Sequence, residues 1–172
     1  MLKFNSNLLK IKLFYLKSFG KINQRISRIN TFEKTEIKKT LIIMPIIDNE
    51  YNVAKYCFRD SFSNNSNNSF LINNTYFSSF PYKTNCLGFT YLSKKNKLVF
   101  NDHDIDKLIK EPFDLVIDLN STFFLDMAMI VNKLSANYKI GFKSNYSDLF
   151  YNIQFDSKVL EIGYKKINSM LN

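Results

Sequence analysis

Residues 113–143, FDLVIDLNSTFFLDMAMIVNKLSANYKIGFK, decide the fold. FDLVIDL (113–119) is an almost unbroken apolar run of strand-forming residues, the pattern of a strand covered on both faces. An apolar stretch of helical length follows from Ser121 to Leu134, with Asn120 or Ser121 placed to cap it. YKIGFK (138–143) is a second strand. A strand, a helix and a strand of this length make a βαβ unit, and such units build parallel sheets.

Working outward, the same alternation recurs. Upstream, TLIIMP (40–45) reads as a buried strand, and Asp48 or Asn49 can cap a helix over about 50–60. SNNSNNS (63–69) is a surface loop by composition. SFLINN (69–74), GFTYLS (88–93) and KLVFND (97–102) are further strands, the last two joined by a tight turn at 94–96. A short helix runs from near Asp104 to Lys110 and stops before Pro112. Downstream, a turn at 144–150, a brief strand YNIQF and a helix over 156–171 complete the chain. The expected fold is α/β, a Rossmann-like three-layer sandwich with a mostly parallel central sheet.

The 172 residues suit one domain, and their +9 formal charge is unevenly placed. Residues 1–40 carry ten basic and two acidic side chains, while residues 41–172 carry 14 and 13. Within the first 32 residues, Leu9, Leu13, Leu16 and Ile22, Ile26, Ile29 recur at helical spacing, with Gly20 between the two sets. We therefore expect a basic amphipathic helical arm over 1–39, followed by one domain over 40–172. The expected arm packs its apolar stripe on the domain while its lysines stay solvated, and it offers a surface to a protein partner or to an anionic membrane. No recognised nucleic-acid motif accompanies its charge, so nucleic acid is not the expected partner. No apolar run reaches the roughly 18 residues of a membrane span, and the start lacks the pattern of a secretory signal. A cytoplasmic location, with the arm peripheral to the inner membrane, is the expectation. Cys57 and Cys86 form no CxxC pair and read as packing residues.

In open α/β sheets ligands collect outside the carboxyl ends of strands. Four clusters follow strands here: 45–49, 101–104, 118–121 and 143–145. Asp48, Asp102 and Asn120 are also ordinary helix caps. The four glycines, at 20, 88, 141 and 163, make neither a dinucleotide fingerprint nor a phosphate-binding P-loop, so no cofactor is expected. DHD at 102–104 holds the only histidine, His103, and has no second ligand cluster of matching spacing; no metal is expected.

FDLVIDLNSTFFLDMAMIVNKLSANYKIGFKSNYSDLFYN and, more weakly, TLIIMPIIDNEYNVAKYCF resemble the N-terminal, acceptor-side domain of the ADP-heptose:lipopolysaccharide heptosyltransferases, glycosyltransferase family 9 enzymes of the GT-B type. The order of elements and the length also resemble, more closely, a family of short bacterial proteins of unknown function. The first resemblance implies Asp48 as a catalytic base toward an acceptor hydroxyl, with Asn120 and Ser121 lining the acceptor cleft. Ile47 stands where that family has glycine before its aspartate. The likeness covers a single domain, whereas the transferases need a second domain for the nucleotide sugar. The expected function is thus a non-catalytic interaction or regulatory module, with a transferase half completed by a partner chain as the alternative.

Overall fold

The computed structural model describes residues 6–22, 37–59, 67–81 and 85–171. The second helical half of the arm, expected around 26–29, and most of the 63–69 loop lie outside the described residues. Five α-helices are described: α1 (Ser6–Ser18), α2 (Asp48–Cys57), α3 (Asp102–Lys110), α4 (Leu125–Lys133) and α5 (Leu160–Asn168). Seven strands form one sheet: β1 (Thr40–Ile43), β2 (Asn68–Asn73), β3 (Cys86–Leu92), β4 (Lys97–Phe100), β5 (Phe113–Asp118), β6 (Ala136–Phe142) and β7 (Ile153–Phe155).

The strand order is β4-β3-β2-β1-β5-β6-β7. Every neighbouring pair is parallel except β3 and β4. Without β4, the order is that of the Rossmann fold, and the chain changes direction across the sheet between β1 and β5. β4 is an antiparallel strand added at one edge. Its outward Leu98 N–H donates to the Asp126 carboxylate of α4 at 3.0 Å.

Alternation in the strands divides the core into two layers. Leu41 and Ile43 of β1, with Val116 of β5, face a cluster that includes Leu13 of α1, Leu108 of α3 and Met127 and Val131 of α4. Ile42 and Met44, with Leu115 and Ile117, face Tyr51 and Ala54 of α2 and Tyr164 and Ile167 of α5. The result is the expected Rossmann-like three-layer sandwich.

Three expected caps are replaced. Helix α2 begins at Asp48 itself, with Ile47 at the cap position and no side-chain cap bond. Helix α4 starts at Leu125, after Phe124, rather than at Ser121. The reason is competition: the Asn120 and Ser121 side chains are bonded to β1-side partners, so 120–124 cannot turn into helix. For α3 the cap is Asn101, whose side chain accepts from the His103 N–H at 3.0 Å.

The aspartates of FDLVIDL hold β1 at both ends. Asp114 accepts from the N–H groups of Lys38 and Lys39 at 2.9 and 2.8 Å, and Asp118 anchors the network described below. On β6, Gly141 makes room for the Tyr151 ring: a Cβ there would lie 2.6 Å from a ring carbon. Gly141→Ala is expected to cost about 1–3 kcal/mol through overpacking, read as a lower urea midpoint. An unchanged midpoint would show that the ring can move aside freely.

Candidate functional site

The carboxyl ends of β1 and β5 bring two loops together at the point where the strand order reverses. Asn120, buried, holds both. Its Oδ1 accepts from the Ile46 N–H at 2.8 Å, and its Nδ2 donates to Asp118 Oδ1 at 2.7 Å. The Asn120 N–H also donates to Asp118 Oδ1, at 3.0 Å. The remaining Asp118 oxygen, Oδ2, accepts from the Tyr151 hydroxyl at 2.5 Å.

A second carboxylate closes the crevice from the helix side. Glu50, buried in the first turn of α2, accepts from the Ser121 hydroxyl at 2.6 Å and from the Ser121 N–H at 3.1 Å. Thr122 Oγ1 approaches it at 3.4 Å. Below, the Tyr164 hydroxyl of α5 donates to the Leu119 carbonyl at 2.8 Å. On the outer flank Tyr76 donates to the Ile46 carbonyl at 3.0 Å, and its ring stacks on Tyr51 with centroids 4.0 Å apart.

Burial sets the protonation of this cluster. Removal from water pushes the Asp118 carboxyl above its ordinary value, and nearby Glu50 adds to the rise. Hydrogen bonds from Tyr151 and Asn120 pull it the other way without cancelling it. The Tyr151 hydroxyl is pushed far up by burial and then by the Asp118 charge, so it stays a donor. Tyr164 is raised by burial, with Glu50 and Asp118 adding to the shift.

The three residues expected at the site are therefore divided. Asn120 and Ser121 come together with Asp118 and Glu50, as hydrogen-bonding links. Asp48 is exposed in the first turn of α2, 3.5 Å from the Asn52 amide, and its charge contributes to raising the Tyr76 hydroxyl after burial. Glu50 and Tyr151 were not singled out from sequence. A weak signal for Tyr151 existed in Gly141, a small residue in a strand where a ring must fit.

The other clusters are elsewhere. Because β4 runs antiparallel, 101–104 leaves it toward the amino ends of the parallel strands, away from the crevice. Lys143 pairs with Asp156 at 2.9 Å on the surface. Cys57 and Cys86 are half-buried and in no disulfide. Burial pushes the Cys86 thiol up to about 11, which keeps it protonated at neutral pH.

The fold and crevice define a Rossmann-like α/β domain whose switch point is bridged by its own side chains. A model described as a family of unknown function, DUF6913, matches residues 12–166, so the chain belongs to that family. No match was found among curated proteins or among solved structures. The family match corrects the heptosyltransferase resemblance: the chain matches no glycosyltransferase family, whereas the likeness to proteins of unknown function fits. DLVIDL and KIGF are short apolar strands that any buried parallel sheet favours, and they carried the misassignment.

Asp118 yields a pH test. Its folded pKa lies above the unfolded carboxyl's ordinary 3.8, so the folded state holds the extra proton between the two values. That contribution to stability is complete below the unfolded value and is lost as pH rises through the folded one. Asp118→Asn removes it. Urea titrations at several pH values should show wild type losing stability relative to the variant as pH rises from below 3.8; curves that stay parallel would refute the assignment. Separately, Asn120→Ala strands the Ile46 N–H and should cost about 1–3 kcal/mol for each buried group left unpaired, read by the same titration at neutral pH.

Proposed function

We propose that this chain is a non-catalytic interaction module built on a Rossmann-like platform. The carrying observation is the acidic first turn of α2 together with the bridged loop before it. In Rossmann-type sites that helix end and the loop before it present N–H groups and positive dipole to a phosphate. Here the Ile46 N–H donates to Asn120, while Glu50 places its own carboxylate in the first turn of α2 and takes the Ser121 donors. Asp48, in the same turn, and Asp118, across the crevice, add acidic groups. An anionic ligand would meet carboxylates where it needs donors.

The loop chemistry supports the same reading. PIIDN (45–49) contains no glycine, so side chains flank the backbone that a pyrophosphate would have to approach. Among the described residues no buried side-chain nitrogen or oxygen lacks a hydrogen-bond partner, so the crevice groups are spent on internal structure. The surface that remains for function lies on the helices. Of these, α1 leaves most apolar area uncovered, with Leu8, Ile11, Phe14, Tyr15 and, just past its end, Phe19 exposed.

Among the described residues no helix is long and apolar enough to cross a membrane. The module acts from the cytoplasm in this reading. Thermal unfolding with nucleoside diphosphates, nucleotide sugars and sugar phosphates tests it. A ligand at about 100 times its Kd adds roughly 2.7 kcal/mol, about 5–10 °C in Tm for a chain of this size. We expect no shift. A shift of that size, abolished by Asn120→Ala, would establish a ligand-binding crevice and end the interaction reading.

A further inference from the structure

We propose that α1 seats this chain on an anionic lipid bilayer, a partner assignment that rests on the interaction-module reading above. At 100° per residue, α1 carries two apolar faces. Leu9, Leu13 and Leu16 point inward, and the first two are buried in the core beside the sheet. Leu8, Ile11, Phe14 and Tyr15, continued by Phe19 just past the helix end, form the other face and are exposed. Phe14 is 71% exposed and Phe19 63% exposed, and the Tyr15 and Phe19 rings lie 4.8 Å apart. A helix that only packs on its own domain needs one such face.

Charge selects the occupant. Lys12 borders one side of the outer face and Lys10 and Lys17 the other, all exposed, and α1 contains no acidic residue. The first 32 residues hold seven basic and no acidic side chains. Aromatic and aliphatic side chains enter the headgroup boundary, while lysines extend from their stems toward lipid phosphates. A second copy would set lysines against lysines around the same patch. Nucleic acid would find a few phosphate contacts but no use for five large apolar side chains. An anionic bilayer satisfies both the apolar face and its cationic border.

The attachment is reversible, because it combines one shallow apolar face with a few charges. It leaves the crevice untouched, since α1 lies in the layer of α3 and α4 and contributes nothing to the Asp118 network.

The test is co-sedimentation of the full chain with vesicles of phosphatidylcholine and phosphatidylglycerol in equal parts, against phosphatidylcholine alone. Binding is expected to the mixed vesicles at low salt, to weaken as salt rises, and to be absent with phosphatidylcholine. Neutralising the border with K10Q/K12Q/K17Q should lower the partition coefficient by about 100-fold, at roughly 1 kcal/mol per lysine. F14S/F19S should lower it by at least about tenfold. All five positions are exposed, and an unchanged urea midpoint confirms that the variants fold. No binding to mixed vesicles at low salt, or binding that both variants retain in full, overturns the proposal. So does tighter retention by duplex DNA or RNA than by vesicles. Self-association abolished by F14S/F19S, without vesicle binding, overturns the bilayer while leaving the interaction reading standing; that reading fails only through the ligand-dependent thermal shift.

Discussion

The hydrogen bond from the Ile46 N–H to the Asn120 carboxamide, 2.8 Å long and buried, is the constraint on which the crevice depends. It ties the loop leaving β1 to the loop leaving β5, the two strands between which a doubly wound sheet reverses. Asn120 holds that position because Asp118 orients its amide, and Asp118 is fixed in turn by Tyr151. Tyr151 reaches across because β6 offers a glycine beneath its ring. Each link is a buried polar group that would be costly alone and is affordable only in the chain.

The same economy explains the helix boundaries. A side chain that bridges two loops is unavailable to cap a helix, so α4 starts five residues beyond Asn120. In α2 the first-turn carboxylate of Glu50 faces across to Ser121, and the favourable dipole interaction of an acidic N-terminus serves to join two loops. The first turn of α2 is thereby tied to the loop that follows β5.

The fold was legible because both signals that define it are local. FDLVIDL and TLII are buried on both faces and read so at once, and the helices between strands show their length. The direction of β4 was less visible in its role. A tight turn at 94–96 implies an antiparallel pair, and an antiparallel edge strand carries 101–104 away from the central crevice. Asp48 follows a strand, which is visible in sequence, whereas the inward orientation of Glu50 within its helical turn is not. Tyr151 lies 33 residues from its partner Asp118. Pairings of that separation are set by how strands stack, and single-residue patterns do not encode them. The transferase likeness failed for a related reason: buried parallel strands converge on the same few apolar residues whatever the protein does.

The edge strand has a consequence for how the molecule grows, or fails to. A sheet's outermost strand exposes backbone groups that could recruit a strand from another chain. Here Asp126 takes the Leu98 N–H on one side, and at the far side β7 is only three residues long. Both margins of the sheet are poor templates for continuation. Addition of a further strand at either margin is therefore disfavoured, and the sheet stops at seven strands.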